Sequence, residues 1–123
     1  LKMPYVRVAT NVRTSEIPAD FEARLVDILH ESMVGKPKNR IMIDVESGKR
    51  MIFGEPGPVA HINIRSIGAV GHNANIQHTE RVTAFISETL GVAKDKMIIM
   101  FDDMAPHLVG FNGTTVEDAM NKE

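Results

Sequence analysis

Apolar and polar residues alternate through Tyr5-Val6-Arg7-Val8, which runs on into Ala9-Thr10-Asn11, and again through His61-Ile62-Asn63-Ile64. A period of two is the mark of a strand with one buried face. Between these runs the period changes. Phe21, Leu25, Ile28, Leu29 and Met33 recur at helical spacing and leave Glu22, Arg24, Asp27 and Glu31 for water. Pro18 suits the first turn of that helix and Gly35 its end. A second helical stripe is formed by Ile76, Val82, Phe85, Ile86 and Leu90, with Asn73 or Asn75 as a cap and Gly91 as the stop.

The two halves echo one another at an offset of 56 residues. Gly35 leads to Arg40 and Ile41-Met42-Ile43, as Gly91 leads to Lys96 and Met97-Ile98-Ile99. Each half reads strand, helix, strand. Ser47-Gly48-Lys49-Arg50 is a turn signal, followed by a short strand at Met51-Ile52-Phe53 and a loop at Gly54-Glu55-Pro56-Gly57-Pro58. Asn112-Gly113 is a tight-turn dipeptide, and the stretch from Glu117 to Glu123 reads as a polar, mobile tail. The expected fold is α+β in two layers: duplicated β-α-β units sharing one mixed four-stranded sheet, with two helices on one face. Nothing in so short a chain is left for the other face, so self-association is expected.

Composition narrows the function. With 123 residues the chain forms a single domain, 43% hydrophobic and 24% charged. A net charge of −2 supplies no positive field for nucleic acid. No apolar run is long enough to span a bilayer, and none resembles a secretory signal. The absence of cysteine removes disulfides, zinc–thiolate sites and thiol nucleophiles. Cytoplasmic residence, or export without a signal peptide, is the expected localisation. The five histidines show no metal-type spacing, Gly68-Ala69-Val70-Gly71 lacks the length and lysine of a phosphate loop, and neighbouring Asp102 and Asp103 point to opposite strand faces. No metal or cofactor is expected.

Met3-Pro4 at the first strand, Gly35-Lys36-Pro37, Pro58-Val59-Ala60 leading to Ser66-Ile67-Gly68, Asp103-Met104, and Val109-Gly110-Phe111-Asn112-Gly113-Thr114 occur in this order. Together they resemble the macrophage migration inhibitory factor and D-dopachrome tautomerase family, most closely its second nematode type, from Met3 to Val116. The resemblance implies a homotrimer with an active site at each subunit interface. It implies keto–enol tautomerisation of small α-keto acids such as phenylpyruvate, or of dopachrome-like compounds. It also implies a second role, that of a cytokine-like ligand for a cell-surface receptor of the invariant-chain type.

On that resemblance Pro4 is the catalytic base, and Lys36, Arg40, Ser66, Ile67, Ile98, Met100, Val109, Phe111 and Val116 line the substrate site. Lys36 corresponds to the family's carboxylate-binding lysine, and Ile67 to a residue whose backbone N–H meets substrate. Leu1-Lys2-Met3 reads as an N-terminal extension of partly artificial origin. While it remains, the nitrogen of Pro4 is an amide without basicity. Once free, the ring amine must be neutral near pH 7 to take a proton from carbon, and an apolar pocket and a nearby cation both favour that form. Spacing alone favours reading Lys36 as a cation at a helix C-terminus, and Arg40 is equally well explained as a solvated charge at a strand start. Three pocket positions depart from the family, Ile98 and Met100 replacing a tyrosine and an asparagine and Val116 an aromatic, and Val59 and Ile62 stand where its thiol motif has cysteines. Fewer donors for a developing enolate imply weaker activity or a shifted substrate preference.

Overall fold

The computed structural model of the chain describes residues 3–33, 35 and 37–122. Strand β1 (Tyr5–Thr10), helix α1 (Phe21–Ser32) and strand β2 (Met42–Glu46) form the first β-α-β unit. Strand β3 (Ala60–Ser66), helix α2 (His72–Leu90) and strand β4 (Met97–Asp103) form the second. Each unit pairs its own strands in parallel, and the units join through the antiparallel pair β1–β3, giving the order β2-β1-β3-β4. The repeat in the sequence is thus a repeat in space.

Alternation decides which face is dry. Val6, Val8, Ile62 and Ile64 are fully buried beneath the helices, where Phe21, Leu25, Leu29, Val82 and Ile86 meet them. Phe21 and Phe85 bring α1 and α2 together with ring centroids 5.2 Å apart, and the Arg24 guanidinium covers the Phe85 ring. On α2 the buried stripe is His78, Val82, Phe85, Ile86 and Leu90, whereas Ile76 is exposed. His78 holds the position expected of an apolar residue because both its nitrogens are satisfied: Nε2 donates to the Ala69 carbonyl at 2.7 Å and Nδ1 lies 2.5 Å from Ser32 Oγ.

The opposite face of the sheet carries Tyr5, Arg7, Asp44, Glu46, Asn63, Arg65 and Asp102, linked across strands. Tyr5 donates to Asp44 at 3.0 Å, Arg7 pairs with Glu46, and Asp102 accepts from Asn63 and Arg65. Among these polar groups Met42, Ile98 and Met100 stand in the open, at 62%, 45% and 54% exposure. Both helices lie on the other side, so this face has no cover from the chain's own described residues.

Helix boundaries follow local chemistry, with some corrections to expectation. Gly91 ends α2 in the left-handed conformation at φ 69°, and its N–H bonds to the Ser87 carbonyl. Pro18 lies before α1 instead of in its first turn: its carbonyl accepts from the N–H of Phe21, the first helical residue. Gly71 is the N-cap of α2, its N–H held by the Asn75 side chain. Met51 and Ile52 do not enter the ladder, and Phe53 makes only a bridge to Glu55. The end of the chain is also more structured than a polar tail. A hairpin of β5 (Gly110–Phe111) and β6 (Thr114–Thr115) turns at Asn112 (φ 56°) and Gly113 (φ 89°). Helix α3 (Val116–Asn121) follows, capped by Thr115 Oγ1 and anchored by buried Val116. Within the described residues no helix is long and apolar enough to cross a membrane.

Candidate active site

Pro4 precedes β1 by one residue. A proline has no N–H to give, so the first residue of a strand is a place it can occupy without loss. Its carbonyl does enter the ladder, accepting from Met42 N–H at 3.0 Å, and this ties the entrance of β1 to the start of β2. The Pro4 ring is buried at the base of a cavity of about 240 Å³. Met3, Tyr5, Ile41 and Met42 form its sides from the sheet edge, and Val109 and Phe111 close it from the C-terminal hairpin. Most of this lining is apolar.

Arg40 brings charge to the cavity mouth. The single 3-10 turn Lys38–Arg40 follows Pro37 and ends where β2 begins, which fixes the backbone of Arg40 beside the opening. Its guanidinium carbon lies 4.9 Å from the centroid of the Phe111 ring, a cation–π stack. Among the described residues no carboxylate pairs with it. Lys38, two residues earlier, is already committed to Asp27 at 2.8 Å, and that contact raises its pKa from the ordinary lysine value. Arg40 is therefore an oriented cation with an unfilled bidentate face.

The residues expected at the site fall into distinct groups. Pro4, Arg40, Val109 and Phe111 share the cavity. Ser66 and Ile67, at the end of β3, are buried close to the β1 entrance. Val116 is buried behind the hairpin, its N–H donating to the Val109 carbonyl at 2.8 Å, so it supports the cavity wall and does not form it. Lys36 lies outside the described residues. Ile98 and Met100 do not join Pro4 within one chain. They sit on β4, two strands from β1, facing the open side of the sheet. Continuing the observed registers, strand spacing and rise place Met100 roughly 14 Å and Ile98 roughly 19 Å from Pro4. Tyr5, Asn39, Ile41 and Met42 line the cavity without having been singled out. Arg40 ends the 3-10 turn and Met42 opens β2, so no strand alternation links the two in the sequence.

A sequence profile of the macrophage migration inhibitory factor (MIF) family matches residues 3–117. The chain belongs to the MIF family. It is 49% identical to the MIF-like protein mif-2 of Caenorhabditis elegans, over 98% of this chain and 100% of that one. Identity to D-dopachrome decarboxylase-B of Xenopus laevis is 33%, covering 93% of this chain and 98% of the relative. Among solved structures, the MIF of Trichinella spiralis superposes with a TM-score of 0.86 at 25% identity, over 90% of this chain and 98% of that chain. The MIF homologue of Prochlorococcus marinus gives 0.83 at 28% identity, over 91% and 98%. The resemblance to the second nematode type and the MIF fold both hold. Enzymes named for D-dopachrome chemistry stand among the relatives.

Proposed function

We propose that this MIF-family protein is a keto–enol tautomerase of small α-keto acids such as phenylpyruvate, or of dopachrome-like compounds, with Pro4 as the base. The observation that carries the reading is the pairing of a buried proline at the base of an apolar cavity with an oriented, unpaired arginine at its mouth. An α-keto acid has the matching polarity, with a carboxylate for Arg40 and Lys36 and an acidic C–H for the base. The reaction requires hydrolysis of the Met3–Pro4 bond, which converts the ring nitrogen from an amide into a secondary amine. The neutral amine then takes a proton from carbon. The C–H electrons move to the carbonyl oxygen as an enolate, and the new ammonium returns a proton to complete the isomerisation. Apolar walls disfavour the ammonium and so keep the resting amine neutral.

Ile98 and Met100 reach this cavity only from a second copy of the chain, in keeping with a homotrimer whose sites lie between subunits. The uncovered polar face of the sheet, with Met42, Ile98 and Met100 exposed upon it, supports such association. A second reading, a cytokine-like secreted ligand for an invariant-chain-type receptor, is favoured by one observation: neither Ile98 nor Met100 can donate a hydrogen bond to an enolate. Both roles are compatible with one molecule, and with cytoplasmic residence or signal-independent export.

The test uses protein beginning at Pro4, assayed with phenylpyruvate beside its Pro4→Gly variant, with light scattering for assembly. Turnover lost in the variant, in a particle of three chains, supports the tautomerase. Full turnover in Pro4→Gly, or a monomer, refutes it. No turnover by the wild type, together with receptor binding that Pro4→Gly leaves unchanged, favours the ligand reading.

A further inference from the structure

Ser66 is fully buried, and its Oγ has no hydrogen-bond partner among the described residues. The other buried polar side chains are satisfied: Thr10 donates to the Val59 carbonyl at 2.7 Å, and His78 is engaged at both nitrogens. Native proteins rarely leave such a group unpaired, so its surroundings are informative. The antiparallel register of β1 and β3 sets Tyr5 opposite Arg65 and Val6 opposite Ile64. One further step sets Pro4 opposite Ser66. Both are buried on the face that carries Val6, Val8, Ile62 and Ile64. Directly opposed Cβ atoms in such a pair are about 4.5–5.5 Å apart, within reach of a hydroxyl. The backbone of Ser66 is fixed from the other side, its carbonyl accepting from Met104 N–H at 2.8 Å.

In this chain Met3 acylates the ring nitrogen of Pro4, which therefore has neither an N–H nor a basic lone pair to offer. The strand register thus sets Ser66 opposite a group that becomes polar only when the Met3–Pro4 bond is cut. We infer that Ser66 is the positioning residue for the freed Pro4 amine, its Oγ accepting the ring N–H. This inference rests on the reading of Pro4 as the base. In the neutral amine the single N–H is held by Ser66, which leaves the lone pair to face the cavity. When the substrate C–H bond breaks, its proton forms the second N–H on the cavity side, and that same side returns a proton to the enolate. The Ser66 contact persists through both protonation states. It favours the ammonium somewhat, because a charged donor bonds more strongly.

The test compares protein beginning at Pro4 in wild-type, Ser66→Ala and Ser66→Thr forms, with the Pro4 amine titrated by NMR on isotopically labelled proline. Ser66→Ala is expected to titrate at lower pH than wild type, with Ser66→Thr restoring the value. In phenylpyruvate turnover Ser66→Ala is expected to lower kcat by about tenfold, the worth of one hydrogen bond to a charged group, with KM little changed. The acid limb of its pH–rate profile should move with the titration. Identical Pro4 titration in wild type and Ser66→Ala overturns the inference whatever the activity. A shifted titration in a protein without turnover sustains it and refutes the tautomerase reading alone. If Ser66→Ala fails to fold, Ser66→Cys supplies a near-isosteric weak acceptor with the same expected direction.

Discussion

Replacing Arg40 by glutamine tests the polarity of the site. The substitution removes the charge, keeps a planar polar end and leaves the Pro4 cavity intact. A charge-assisted hydrogen bond between guanidinium and substrate carboxylate is worth about 1.5–3 kcal/mol. Arg40 is half-buried at the mouth, so solvent screening takes part of that, and about 1.4 kcal/mol, a tenfold rise in KM, is the expected net. The stack on Phe111 adds to this by holding the fork in place, at about 0.5–1 kcal/mol for an exposed cation–π pair. Arg40→Lys should thus recover only part of the loss, since an ammonium keeps the charge without the planar fork. The assay is steady-state tautomerisation of phenylpyruvate and of its methyl ester, at low and at physiological ionic strength. KM for the acid should rise with salt in wild type and respond less in Arg40→Gln, while the ester should be indifferent to the substitution. Equal KM values for the acid in the two proteins, with equal salt dependence, refute carboxylate binding by Arg40.

Three other outcomes follow from the fold. Ser32→Ala leaves buried His78 Nδ1 without its partner and should cost about 1–3 kcal/mol, seen as a lower thermal midpoint by circular dichroism. Gly113→Ala forces a side chain into φ 89°, should destabilise the hairpin by about 1 kcal/mol and, by displacing Phe111, should raise KM more than it lowers kcat. The hydrogen bond from Arg7, aided by Lys49, lowers the pKa of Glu46 below the ordinary glutamate value. The stabilisation is therefore present above the unfolded-state pKa and is lost as pH falls through the lowered folded value. Urea midpoints measured from neutral into acid should fall less steeply in Glu46→Gln.

Periodicity carried most of the fold. Val6, Val8, Ile62 and Ile64 alternate cleanly because one face alone is buried, and the offset between Gly35 and Gly91 marks two units of equal plan. It fails where a polar group is satisfied by tertiary partners: nothing near His78 in the chain announces Ser32 or the Ala69 carbonyl, and the pattern points to exposed Ile76 instead. It fails again at Glu117–Asn121, where a six-residue helix depends on one buried anchor, Val116, and one cap, Thr115. The site is tertiary throughout: Pro4 and Arg40 approach through the β1–β2 ladder, Phe111 arrives with the C-terminal hairpin, and the significance of Ser66 lies in a strand register that no single segment contains.

The central claim is that a free ring nitrogen on Pro4 performs the proton transfer. Phenylpyruvate turnover by two forms of the protein, one beginning at Met3 and one at Pro4, tests it most directly. The account predicts activity only in the form beginning at Pro4, with the Met3 form folded to the same thermal midpoint but inactive. Equal turnover by the two forms contradicts it.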